Sequence, residues 1–280
     1  VPGFRGELRV DDFGNIYGRL NGITKGECVR GALDTWDKLS DFKLPEPDMA
    51  YYGELKTKLA GCDKYVFAGL PVGVFSTLRD VRLITNALMD TVLEPENVTA
   101  FLTLITEFVV PLCEPLKEAG VDAIIFADDW GTQEGTFIGL DSFKELFWPA
   151  YKRICGAAHA AGLKVFMHSC GKNNLFVAPL IEAGVDVFQY DQPSVYPAQW
   201  LAENFADKAV FYIPVDIQKI MPTGDRALIE RSALELVELF RSRGASIIAK
   251  DYPSWGDIDV KEEWAGWARE VFLKHASNEV

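Results

Sequence analysis

Histidine is scarce in this chain, with three residues in 280: His159, His168 and His275. Cysteine is scarce too. Its five residues (Cys28, Cys62, Cys113, Cys155 and Cys170) are odd in number and scattered. Such a set is not a secreted disulfide framework, and it predicts a reducing, cytoplasmic setting. No uninterrupted apolar run of about 18 residues occurs, and no signal-peptide pattern opens the chain, so membrane association is not expected. Basic residues are outnumbered, 28 against 41 acidic, for a formal net charge of −13. The basic stripe of a nucleic-acid binder is missing, and the acidic balance disfavours polyanionic partners. Neither a Gly-x-Gly-x-x-Gly fingerprint after a strand nor a Gly-x-x-x-x-Gly-Lys-Ser/Thr phosphate loop is present. The first residue is Val1 rather than Met, as expected of a sequence beginning partway into a longer protein.

What remains is ordinary globular material, 49% hydrophobic and 25% charged. The length suits one large α/β domain, a size that buries about three quarters of its unfolded surface. Residues 1–63 read as an N-terminal segment. Glu7 to Arg19 alternates apolar and polar residues around a Gly-Asn turn, the pattern of a β-hairpin. Cys28 to Leu39 has helical spacing, and Leu44-Pro-Glu-Pro47 is a loop.

From residue 64 to 280 the texture is that of repeated βα units. Short apolar runs at Tyr65–Ala68, Ala123–Ala127, Lys164–Met167, Val185–Phe188, Ala209–Ile213 and Ala245–Ala249 read as buried parallel strands. Helical patterns separate them: Thr77–Met89, Val98–Ala119, Asp141–Ala161, Leu175–Ala183, Ala198–Asn204 and Asp225–Arg243, with a last one over Val260–His275. Gly120, Gly162, Gly184 and Gly244 follow helix ends where a left-handed cap is wanted. The pattern predicts an α/β fold, a single (βα)8 barrel domain over 1–280, with a doubly wound open sheet as the alternative.

In a βα barrel the reactive groups stand at the C-terminal strand ends. Those ends read Asp128-Asp-Trp-Gly-Thr-Gln-Glu134, His168-Ser-Cys-Gly171, Gln189-Tyr-Asp191, Pro214-Val-Asp-Ile-Gln218 and Lys250-Asp-Tyr252. In extended chain, residues i and i+2 share a side, so His168 and Cys170 can reach one centre. Imidazole and thiolate together suit Zn²⁺. On the tripeptide alone, a hydrogen-bonded barrel histidine and a small buried cysteine are the favoured reading of the pair. Asp128 and Asp129 are adjacent, so one can face a pocket while the other caps a helix. The candidate catalytic carboxylates are Asp128, Asp129 and Asp216. Trp130 and Phe13 are candidates to flank a flat ligand, with Gln133, Tyr190, Gln218 and Tyr252 as further substrate-binding candidates.

The run Asp128 to Ile138, then Phe143 to Lys152, then His168-Ser-Cys-Gly171, resembles the uroporphyrinogen decarboxylase superfamily, and within it the corrinoid-linked methyltransferases. Val215-Asp-Ile-Gln218 and the following Thr223-Gly-Asp-Arg-Ala occupy the place of that family's Gly-Asn-x-Asp region. The resemblance extends over residues 64–275 and implies a βα barrel with its site in the mouth. It also implies one Zn²⁺ per chain, held by His168, Cys170 and a residue after the last strand. There the family's cysteine is replaced by Tyr252, with Asp251 beside it. Asp251 is then the implied third ligand, with Glu134, Asp191 and Asp216 as alternatives. Fewer thiolates make a harder metal, which implies demethylation of a methoxy compound, an aryl methyl ether, onto the Co(I) corrinoid of a partner protein. The alternatives are methyl transfer to a thiol such as coenzyme M, decarboxylation of a tetrapyrrole, and a barrel that binds without turnover.

Overall fold

The computed structural model describes residues 3–20, 26–192, 195–252 and 255–276. In chain order the elements are β1 (Glu7–Val10), β2 (Ile16–Arg19), β3 (Glu27–Arg30), α1 (Met49–Leu59), β4 (Phe67–Gly69), α2 (Val74–Arg82), α3 (Ile84–Leu93), α4 (Pro95–Val109) and α5 (Cys113–Glu118). Then come β5 (Ala123–Ala127), α6 (Leu140–Ser142), α7 (Trp148–Ala160), β6 (Lys164–His168), α8 (Val177–Ala183), β7 (Val187–Gln189), α9 (Ala198–Phe205), β8 (Val210–Ile213), α10 (Arg226–Arg241), β9 (Ile247–Ala249) and α11 (Glu262–Lys274). Helices and parallel strands alternate from β4 onward, and the strands lie within two residues of the apolar runs that predict them. Gly120, Gly162, Gly184 and Gly244 all take positive φ, between 70° and 114°, as their place after helix ends requires.

The chain forms two compact units: residues 1–128, 137–165 and 182–184 in the first; 129–136, 166–181 and 185–280 in the second. In the first, β1, β2 and β3 make an antiparallel sheet, and β4 pairs in parallel with β5 through Phe67↔Ala123 and Ala68↔Ile124. The Tyr17 hydroxyl donates to Asp80 on α2 at 2.8 Å, and buried Arg82 pairs with Asp90 at 2.7 Å. Pro95–Glu118 is long and apolar enough to cross a membrane by length and composition. Phe101, Leu102, Ile105, Val109 and Leu112 along it are buried in the protein core. In the second unit β6, β7, β8 and β9 pair in parallel, with Phe166↔Val187, Val187↔Val210 and Phe211↔Ile247 in register. Rings stack on this sheet and just beyond it: Phe188 on Phe211 with centroids 6.0 Å apart, and Tyr190 on Tyr196, both after β7, at 4.4 Å.

Three local departures from the sequence pattern have physical reasons. Cys28–Leu39 is not a helix; it gives β3 and a 3₁₀ turn at Trp36–Lys38. Pairing with β2 and the tight approach of Gly31 to the Val81 carbonyl, where a Cβ would stand 2.1 Å away, override the helical spacing. Helix α1 gives no periodic signal because none of its residues is buried; Asp48 caps it by accepting from Ala50 N at 3.0 Å. The predicted helix over Thr77–Met89 breaks at Leu83, whose φ of 64° no helix accommodates.

Candidate metal centre

β6 ends at His168, and the chain leaves it through Ser169, Cys170 and Gly171. Ser169 turns inward, where its buried hydroxyl accepts from Trp130 N at 3.3 Å. The flanking side chains therefore share the opposite side, and Cys170 Sγ comes to 3.4 Å from His168 Nε2. The segment after β5 supplies the third group. Asp129 Oδ1 accepts from Cys170 N at 2.7 Å and lies 3.5 Å from His168 Nε2. One nitrogen, one sulfur and one oxygen thus lie within 4.8 Å of one another, the single such trio among the described residues.

Main chain holds this convergence. Gly131 and Gly171 stand back to back: a Cβ on Gly171, whose φ is 73°, would be 1.8 Å from the Gly131 carbonyl oxygen, and one on Gly131 would be 2.2 Å from Lys172 O. No other residue permits that approach. A hydrogen bond from Lys172 N to Thr132 O at 2.7 Å closes the contact.

A polar chain runs away from the trio. His168 Nδ1 meets Gln189 Oε1, Gln189 Nε2 donates to Asp191, and Asp191 pairs with Lys250, both ends of that ion pair being largely buried. The Lys250 ammonium also lies 4.1 Å from the centre of the Tyr252 ring. Burial, reinforced by the Asp129 and Asp191 carboxylates, pushes the Cys170 thiol up to about 12, against the opposing pull of Lys250. Burial and the Asp191 carboxylate beside its hydroxyl push the Tyr252 phenol upward as well. A neutral thiol beside a carboxylate and an imidazole could hold a divalent cation, which would replace the thiol proton and offset the carboxylate.

The profile of uroporphyrinogen decarboxylase (URO-D) matches residues 49–238. The chain belongs to that family. Membership carries the family's α/β fold class, the (βα)8 barrel type, which the alternation of parallel strands and helices expresses here. A methyltransferase from Methanosarcina mazei is similar in fold, with a TM-score of 0.62 over 96% of this chain and 76% of that one, at 16% identity. A D-psicose 3-epimerase from Clostridium cellulolyticum H10 aligns with a TM-score of 0.42 at 12% identity, covering 86% of each chain. No curated protein matches the sequence.

Within this URO-D-family chain the other candidate residues fall in different places. Asp128 is fully buried: it accepts from Val74 N, Phe75 N and Ser76 N at 2.7–2.9 Å and from the Tyr151 hydroxyl at 2.7 Å, capping α2. Burial raises its pKa against those four hydrogen bonds. Asp216 closes its own turn by accepting from Gln218 N and Lys219 N, and the Gln218 side chain is exposed. Asp251 is not brought to the trio; its carboxylate accepts from Arg269, Trp255 Nε1 and Tyr252 N. Glu134 and Gln133 sit on the exposed tip of the loop that the Gly131–Thr136 bridge closes. Trp130 and Tyr190 are core residues, Trp130 edge-on to Phe176 at 5.3 Å and Tyr190 donating to Asn173 at 3.2 Å. Phe13 lies in the first unit, lining an apolar hollow with Tyr52, Phe67 and Leu70. Sequence reasoning placed Gln189, Asp191 and Lys250 at strand ends without assigning them to His168; the polar Gln189 closing an otherwise apolar strand was the available signal.

Proposed function

We propose that this chain is a zinc-dependent methyltransferase that takes the methyl group of a methoxy compound, an aryl methyl ether, and delivers it to the Co(I) corrinoid of a separate protein. The whole chain would act as one cytoplasmic barrel domain. The observation that carries the reading is the convergence of Asp129, His168 and Cys170. Three protein donors of mixed N, S and O type are the set that leaves a tetrahedral cation one open position. When bound, zinc supplies Lewis acidity toward the oxygen of the methyl donor. A set with one sulfur and one carboxylate is harder than a two-thiolate set, which favours an oxygen substrate over a thiol.

The chain's own residues divide the remaining work. Cys170 gives up its proton on joining the ligand set. Tyr252, whose phenol is held neutral by burial and by Asp191, donates a hydrogen bond to the substrate oxygen. Lys250, near enough to oppose the shift of the Cys170 thiol, adds positive potential on the side where a departing phenolate gathers charge. Decarboxylation of a tetrapyrrole uses no such N, S, O trio, which favours the methyl-transfer reading.

A single-turnover assay tests it, with a methoxyarene and chemically reduced cobalamin as the methyl acceptor. Zinc-loaded protein is expected to form methylcobalamin and the free phenol. Equal rates from chelator-stripped and reloaded protein would overturn the role of zinc, and no product from either would overturn the reaction.

A further inference from the structure

A neutral imidazole carries its proton on one nitrogen, and only the bare nitrogen can act as an electron-pair donor. Cys170 and Asp129 both lie beside His168 Nε2, so which nitrogen is bare decides whether the trio works as a donor set. The polar chain behind His168 answers this by elimination. Lys250 is a donor only and pairs with Asp191, so the Asp191 carboxylate stands there as an acceptor. Gln189 must therefore turn its amide nitrogen toward Asp191. The reverse orientation would set Oε1 against a buried carboxylate, with no proton between them. With the nitrogen so committed, Gln189 presents its oxygen to His168 Nδ1. An oxygen that can only accept requires a proton on Nδ1, and Nε2 is left bare.

The register supports this division of labour. Gln189 stands directly across the β6–β7 ladder from His168, and Asp191 follows two residues later on the same side. Both Asp191 and Lys250 are largely buried, so water does not compete for the pair. We infer that Gln189, oriented by the Asp191–Lys250 ion pair, is a positioning residue that fixes His168 in its Nδ1–H tautomer and presents a bare Nε2 to the site. This inference rests on the proposed function only in making Nε2 the donor. The tautomer itself is a property of the metal-free protein.

The experiment reads the tautomer directly. In metal-free protein labelled with ¹⁵N-histidine, long-range ¹H–¹⁵N correlation at a pH where histidine is neutral shows which ring nitrogen bears the proton. His168→Ala assigns the signal among the three histidines. Wild type is expected to show Nδ1–H. In Asp191→Ala the Lys250 ammonium, a donor only, is left to meet Gln189 Oε1, the Gln189 nitrogen turns to His168, and the proton moves to Nε2. Zinc affinity measured against a competing chelator should fall about 10–100-fold in Asp191→Ala, the usual cost of losing such an outer partner. Nε2–H in wild type overturns the inference without any variant having to fold. So does Nδ1–H that persists in a folded Asp191→Ala. Nδ1–H in a wild-type protein that binds no zinc would leave the tautomer standing and overturn the metal-dependent function instead.

Discussion

Asp128 and Asp129 differ by one position and by everything else. Replacing Asp128 tests whether the buried member is a structural cap rather than a catalytic acid. Its Oδ1 takes the Phe75 and Ser76 amides, and its Oδ2 takes the Val74 amide and the Tyr151 hydroxyl. In Asp128→Asn the oxygen keeps its two amides. The new NH₂ can donate to Tyr151, whose hydroxyl reverses role, but Val74 N–H is orphaned at a buried helix terminus. One orphaned donor costs about 1–3 kcal/mol. Losing the negative charge at the start of α2 adds about 0.3–1 kcal/mol. Burial disfavours that charge in the first place, which returns part of the loss, so the net cost is about 2 kcal/mol. Asp128→Ala orphans three amides and the phenol together, for about 4 kcal/mol or more. At about 2 °C per kcal/mol for a chain of this size, the melting temperature should fall by about 4 °C in Asp128→Asn and 8 °C or more in Asp128→Ala. Tyr151→Phe should cost about 1 kcal/mol, or about 2 °C. Calorimetry checks all three. The capping argument is refuted if Asp128→Ala melts with the wild type while methyl transfer is abolished, for the carboxylate would then be acting on substrate.

Other expectations concern the Asp129, His168 and Cys170 trio and its frame. With the free Cys170 thiol raised to about 12, it stays protonated through neutral and mildly alkaline pH, and zinc must displace its proton. Zinc affinity should therefore climb about tenfold per pH unit between about pH 7 and 9, a slope that isothermal titration across that window measures and that a flat profile would contradict. Asp129→Asn should weaken zinc binding at least about tenfold. Asp251→Asn should leave it within about twofold, its exposed pair with Arg269 being worth under about 1 kcal/mol; the opposite order in a chelator competition would return the third position to Asp251. Gly171→Ala, forced against the Gly131 carbonyl at positive φ, should cost about 2 kcal/mol or more and scatter the donors, seen as lower thermal stability with lost zinc binding.

The strands were legible because each is a short apolar run ending in polar residues, and the glycines after the helices marked the repeat. His168 and Cys170 were legible for a simpler reason: extended chain puts alternate residues on one side. The third donor was not. Whether Asp128 or Asp129 faces the trio depends on where β5 ends and how the next loop turns, and a one-residue change of phase exchanges them. Asp251 was implied as a ligand by the family resemblance, standing beside Tyr252 in the place of the family's cysteine, yet Arg269, eighteen residues along the chain, pairs with its carboxylate. Trp130 and Tyr190 looked like ligand-binding surfaces because they are aromatic and near the strand ends. Aromatic character does not say which side of a loop a ring takes, and both rings fill the core.

The glycine contact between residues 131 and 171 separates where the donors stand from what they are. Backbone closeness, not any ligand side chain, sets the gap between the two donor-bearing segments, so a substitution such as Asp129→Cys would alter softness while leaving spacing alone. On a frame of this kind, replacing one side chain would exchange a hard donor for a soft one without moving its neighbours.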